Sequence, residues 1–354
     1  MPLAPRITVV TCIRDEAPYL CEWVAHLRAV GVTGILAYSN DCADGSEALL
    51  DALAPAGVAH VPQGALRGRD GPAPQWRALG AAWDHPLVAR AEWVAHLDCD
   101  EWPAFAPGTR GLAQLLADAD PAASAIALPW RLFGCDGRLA PGQGATPERF
   151  TRAAPPGLAF PALASFFKTI FRRAGPFAGF GVHRPRRAPA DAGTPVFLDD
   201  ALRPDPALTD SDRIVLWRDG RPPPGRRVQL NHYSVRSVHE FLLKRARGLP
   251  NRTAKALDLA YWVERNFNTV GCDWIAAQLP AARAELARLR ALPGVAAAEA
   301  AGRAWHADRL AEILATPDGA ALCGRLVLAA DSTPPPAALG RALLAQRNAA
   351  AAGS

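Results

Sequence analysis

The chain has 354 residues, half of them hydrophobic and about a fifth charged, with a formal net charge of +5. That suffices for one large domain with an appendage or for two ordinary domains, and it excludes a disordered chain. Only Lys168, Lys244 and Lys255 are lysines, so the basicity is arginine, and no dense basic run interleaved with aromatics points to nucleic acid. The seven cysteines are scattered without a CxxC pair, which fits a reducing compartment and disfavours a disulfide framework or structural zinc. No secretory leader opens the sequence, and no apolar run approaches the roughly 18 residues of a membrane span. The expected location is cytoplasmic, with room for peripheral contact at the inner membrane surface.

In chain order, Ile7–Thr11 reads as a β-branched strand, and residues Tyr19–Val30 place Leu20, Trp23, Val24, Leu27 and Val30 at helical spacing. Gly34–Ser39 is a second strand, Ser46–Leu53 a helix, Val58–Val61 a third strand and Gln75–Trp83 a helix. Trp93–Leu97 is a fourth strand, and Ala125–Trp130 a further candidate. This alternation predicts an α/β fold with a mostly parallel sheet flanked by helices. Residues 134–165 and 173–226, rich in Pro, Gly and Arg, read as long loops. Ser165–Arg172 between them is a strand candidate that places Lys168 and Arg172 on one face. After Arg227–Leu230 comes a helix at Val238–Arg247, then an Ala/Leu/Arg-rich helical extension. The expected organisation is a main domain over 1–250, the extension over 251–335 and a flexible tail over 336–354.

The most informative stretch is Trp93-Val94-Ala95-His96-Leu97-Asp98-Cys99-Asp100-Glu101-Trp102. A buried strand ending in three acids is more than packing requires. Alternate acids there repel unless a cation bridges them, and Mg²⁺ and Mn²⁺ prefer oxygen ligands. Strand carboxyl ends are also where open α/β sheets bind ligands. The first strand runs into Thr11-Cys12-Ile13-Arg14-Asp15-Glu16, without the glycines of a dinucleotide fingerprint. The second runs into Ser39-Asn40-Asp41-Cys42-Ala43-Asp44-Gly45-Ser46, where Asp44 or Ser46 can equally cap the next helix. Asn231-His232-Tyr233-Ser234-Val235-Arg236-Ser237 and Lys244-Arg245-Ala246-Arg247-Gly248 form a second polar run, with His183 a weaker candidate of the same kind. Asn251-Arg252-Thr253 matches a glycosylation sequon of no consequence in a cytosolic protein. The Asp98-Cys99-Asp100 triplet differs from the aspartyl nucleophile of haloacid-dehalogenase-type phosphatases, which follows a first strand.

Together these segments resemble the family 2-like glycosyltransferases of the GT-A fold, closest to the bacterial subgroup related to family 92. Thr11–Glu16 with Tyr19-Leu20-Cys21-Glu22-Trp23 is similar to that subgroup's K-N-E…Y-L-x-E-W signature, with Arg14 and Asp15 replacing Lys and Asn. Ser39–Ser46 resembles its N-x-S-x-D-G-[ST] loop, Leu97–Trp102 its L-D-x-D-E-[FW], and His232–Gly248 its H-Y-x-x-[RK]-S…K…G segment. The resemblance implies a Rossmann-like GT-A domain and hexosyl transfer of inverting type. The donor would be a nucleotide-sugar, with UDP-sugar favoured, and the acceptor a saccharide or glycolipid hydroxyl in surface polysaccharide or glycolipid synthesis. It implies Mn²⁺ or Mg²⁺ held by Asp98, Asp100 and His232. Thr11, Arg14, Asp15, Glu16, Asn40, Asp41, Asp44, Asp98, Lys168, Arg236 and Lys244 would contact the donor. Glu101 is the candidate base, with Asp191 or Asp199 as alternatives. A nucleotidyltransferase and a catalytically silent GT-A-like binding protein are the competing readings.

Overall fold

The structure is a computed structural model that describes residues 4–65, 71–217, 220–248 and 257–352. The sequon at Asn251–Thr253 and the expected boundary at 250/251 lie outside these residues.

Eight strands and eight helices position the site. The strands are β1 (Ile7–Ile13), β2 (Gly34–Ser39), β3 (Val58–Pro62), β4 (Trp93–His96), β5 (Glu101–Phe105), β6 (Ala125–Leu132), β7 (Phe167–Arg172) and β8 (Val228–His232). The helices are α1 (Ala17–Ala29), α2 (Ser46–Ala52), α3 (Pro74–Ala82), α4 (Val238–Arg247), α5 (Leu279–Arg290), α6 (Val295–Leu314), α7 (Pro317–Ala329) and α8 (Ala337–Ala352). The sheet runs β3-β2-β1-β4-β7-β6-β8-β5, with a two-residue strand, Phe197–Leu198, beside β6. β3, β2, β1 and β4 are mutually parallel, as are β6 and β8, whereas β7 and β5 run antiparallel to their neighbours. The mostly parallel α/β architecture predicted from the alternation is therefore present, with two antiparallel insertions.

β1 is buried along its whole length, as a central strand covered on both faces must be. α1 covers one face, and its residues 17–27 are all buried because α5 and α6 cover its outer side. Leu289 and Val295 of the C-terminal helices join the same hydrophobic core as Trp23, Val24 and Leu27. The extension is thus packed on the sheet domain through α1. Within the expected tail, Ala337–Ala352 form α8. Among the described residues, no helix is long and apolar enough to cross a membrane.

β5 was not expected, because Glu-Trp-Pro-Ala-Phe shows no clean alternation. Pro103 is tolerated because β5 ends the sheet path, where a missing N–H breaks little of the ladder. Its pairing with β8 sets Glu101 opposite His232 and Trp102 opposite Asn231. That register joins the acid cluster to the histidine segment 130 residues away.

Candidate active site

The four residues from Asp98 to Glu101 form a tight turn between β4 and β5. The Glu101 N–H donates to the Asp98 carbonyl at 2.9 Å, and the Asp98 N–H donates back to Glu101 Oε2 at 2.9 Å. Glu101 is completely buried, accepts from Trp130 Nε1 at 2.7 Å and lies 3.4 Å from Lys168 Nζ. Burial pushes its carboxyl up to about 8 against the pull of Lys168. Enclosed in this way, the Glu101 carboxylate, the expected base, holds the turn together and is not part of the lining of the two cavities described below.

Asp98 and Asp100 leave the turn in different directions, each toward its own lysine. Asp98 lies 2.9 Å from Lys168 Nζ through Oδ2, accepts from Gln75 Nε2 at 2.9 Å through Oδ1, and stays 31% exposed. Burial opposes its charge, but Lys168 and His96 more than compensate and hold the carboxyl at about 2. Asp100 accepts from Lys244 Nζ at 2.6 Å, and its other oxygen is 3.6 Å from His232 Nε2. Desolvation again acts against the charge, yet Lys244 and His232 hold this carboxyl well below the usual range.

Two adjoining cavities open on this sheet edge. The first, about 680 Å³, lies between the loops after β1 and β2 (Asp15, Asp41, Cys42, Ala43), α4 and α6. The second, about 380 Å³, has Asp98, Cys99 and Asp100 with Gln75 on one side. Trp130, Phe166, His183 and His232 line it as well, the last three with rings 4.2–5.6 Å from that of Trp130. Arg14, Glu16, Lys244 and Arg247 line both cavities and form the neck between them. Glu16 pairs with Arg247 at 2.5 Å and Arg236 at 3.5 Å, and Arg236 stacks over Tyr19 at 3.6 Å. Arg14 forms no ion pair among the described residues, and its Nε is buried without a partner. The neck thus presents a guanidinium without a carboxylate of its own.

Several predicted contacts do not face these cavities. Thr11 is fully buried inside β1. Asn40 is buried and donates to Asp41 Oδ2 at 2.8 Å. Asp44 is occupied by Ala17 N–H, the Ser46 N–H and hydroxyl, and His306, at 2.6–2.9 Å, which makes it a clamp. Lys168 sits beneath the acids, 1% exposed, as their counter-charge. Arg172 donates to the Ala123 carbonyl and stacks on Trp93, away from the site. Asp191 is exposed on a surface turn, and Asp199 caps a turn through the N–H groups of Ala201 and Arg203. Asp15 lines the first cavity while accepting from Ala43 N–H at 2.7 Å.

Gln75, Trp130, Phe166, Arg247, Trp305 and His306 were missed as site residues. Arg247 was the most accessible to sequence reasoning, since it lies one helical turn after Lys244 on the same face. The others come from elements whose position depends on long-range packing.

The three-residue metal set implied by the sequence fits only in part. Asp98 turns both oxygens to Lys168 and Gln75, so it is not poised as a ligand. Asp100 and His232 remain, both lining the second cavity, with His232 Nδ1 buried and unpartnered. Among the described residues, no three His, Cys, Asp or Glu side chains are gathered to hold a metal.

No protein-family model matches the chain, and no curated protein matches it. Among solved structures it is similar to a mannosyltransferase from Pyrobaculum calidifontis in complex with GDP-Man and Mn²⁺. That match has 16% identity, a TM-score of 0.29, and covers 96% of this chain and 88% of the other. A second similarity is to the apo structure of the bifunctional glycosyltransferase WbbM, at 14% identity and a TM-score of 0.23. It covers 49% of this chain and 32% of that one. Both neighbours are glycosyltransferases, at similarities too low to assign this chain to their families.

Proposed function

We propose that this protein is a GT-A-type, family 2-like glycosyltransferase that moves a hexosyl group from a nucleotide-diphosphate sugar to a hydroxyl acceptor. The observation that carries the reading is the pair of cavities joined by the neck of Arg14, Glu16, Lys244 and Arg247, in which three cations meet one carboxylate. A nucleotide-sugar has that layout: a nucleoside, a doubly charged diphosphate and a pyranose. The nucleoside would occupy the first cavity and the sugar and acceptor the second. Arg14 would grip the diphosphate, since an arginine fork pairs with phosphate oxygens and this one has no competing carboxylate. UDP-sugar remains the favoured donor, and a saccharide or glycolipid the favoured acceptor.

Asp100 and His232 would hold Mn²⁺ or Mg²⁺, which supplies Lewis-acid stabilisation to a leaving diphosphate. Inverting transfer also needs a proton acceptor in the second cavity. His183 Nδ1 lies 3.0 Å from the Phe167 carbonyl, which places the proton on Nδ1 and leaves the lone pair on Nε2. Asp98, partly open, is the alternative.

A panel of UDP- and GDP-sugars with and without Mn²⁺ tests the proposal by calorimetry and donor turnover. The expected result is nucleotide-sugar binding in which nucleotide and Mn²⁺ each raise the other's affinity. That coupling should be lost in Asp100→Asn and kept in Asp98→Asn. Absence of any nucleotide binding would sink the reading. Nucleotide transfer without sugar transfer would favour a nucleotidyltransferase, and binding without turnover of any acceptor a silent binding protein.

A further inference from the structure

The first cavity has a wall that the sheet domain does not supply. α6 of the C-terminal extension lays Trp305, His306 and Arg309 along it, opposite the loops carrying Asp15 and Asp41. We infer that α6 is half of the nucleotide site, with Trp305 as the stacking face for the nucleobase and His306 as the residue that fixes this helix. The inference rests on the nucleotide-sugar reading above.

Two independent features show that α6 is held at this wall. The first is a polar clamp: His306 Nε2 lies 2.9 Å from Asp44 Oδ2, with both side chains at least nine-tenths buried. The same Asp44 oxygen accepts from the Ala17 N–H at 2.8 Å. The clamp therefore joins α6, the loop after β2 and the start of α1 at one carboxylate. The second is a close approach. Gly302 sits so near α1 that an added Cβ would lie 2.4 Å from Ala17 Cβ and 3.1 Å from the Asp44 carbonyl. Glycine in a helix interior is unfavourable relative to alanine. Here it lets α6 settle directly on the loop.

The chemistry at this wall suits a nucleobase. Trp305 is half-buried, lines the first cavity and has its ring 5.3 Å from that of His306, edge to face. Asp15 and Asp41 line the same cavity, and their carboxylates can accept from base N–H groups. The cationic neck lies on the side toward the second cavity, where the diphosphate of a base held at Trp305 would fall. Uracil and guanine, which both present ring N–H donors, fit this arrangement better than adenine.

The test is calorimetric binding of UDP, GDP and ADP to the full-length protein, comparing wild type with Trp305→Ala, Trp305→Phe and Gly302→Leu. Loss of one base-stacking contact lowers affinity by about 10- to 100-fold, so Trp305→Ala should bind UDP or GDP that much more weakly. Trp305→Phe should recover most of the loss, which a purely structural role would not predict. Gly302→Leu should weaken binding by displacing α6, with inorganic pyrophosphate binding little changed in both Trp305 variants. A wild type that binds UDP or GDP while Trp305→Ala binds equally well would overturn this inference and leave the glycosyltransferase reading intact. A wild type that binds no nucleotide would overturn both.

Discussion

In the second cavity, charge is matched group by group: Lys168 stands on Asp98 and Lys244 on Asp100, all packed against a buried turn. At the neck into the first cavity, Arg14 faces the open volume without a carboxylate, and the wall beyond is a helix brought in from the C-terminal extension. The difference separates two kinds of residue. The paired groups carry stability as well as any binding role, because a buried charge that loses its partner is strongly unfavourable. The open Arg14 has no such partner to lose.

That contrast breaks most visibly at Lys244. Lys244→Ala leaves Asp100 buried without its cation and should cost about 3–5 kcal/mol in urea denaturation. A cost under about 1 kcal/mol would mean that Asp100 is not held by this pair. Arg14→Gln is the counterpart at the neck: stability should stay within about 0.5 kcal/mol, while kcat/KM for the donor falls about 100-fold. If Arg14→Gln unfolds the protein, the neck is structural and the contrast fails.

Glu101→Gln distinguishes a turn-holder from a base. Replacing the carboxylate disturbs its bonds to the Asp98 N–H and Lys168, and should destabilise by about 1–3 kcal/mol. Turnover of the folded variant should remain within about tenfold of wild type. Abolished turnover with unchanged stability would return Glu101 to the role of base.

The contrast also bears on pH. Burial lowers His26 and His96 to about 4, and burial with Lys168 lowers His183 to about 3, from 6.5. The unfolded chain therefore binds protons that the folded protein refuses. Stability from these neutral imidazoles is complete above pH 6.5 and declines as pH falls through about 4. Denaturation midpoints should drop between pH 7 and pH 5, and the His96→Gln variant should show a shallower drop.

Much of the sheet edge was legible in the sequence because its signals are local. Apolar strands ending abruptly in Arg14-Asp15-Glu16, Asp41 and Asp98-Cys99-Asp100 mark the loops that line the cavities. The helix expected at Val238–Arg247 is present as α4, and the structure closes its ends with the Ser237–Glu240 capping box and with Gly248. The roles within those loops were not legible. Asp44 and Asp41 stand in the same loop, yet one is locked by His306 and the other lines the cavity. Glu101 and Asp100 are adjacent, yet the turn between β4 and β5 sends one side chain to Trp130 and Lys168 and the other to Lys244. β5 stayed hidden because its partner, β8, lies more than a hundred residues away.

The sequence by itself determined where the polar strand ends fall and that they share one edge, since hydrophobic periodicity and right-handed α/β connectivity are properties of short segments. The tertiary structure decided which acid meets which cation and which face of the extension closes the first cavity. Those outcomes depend on register between strands and on one close helix approach at Gly302, and neither is set by residues near in sequence.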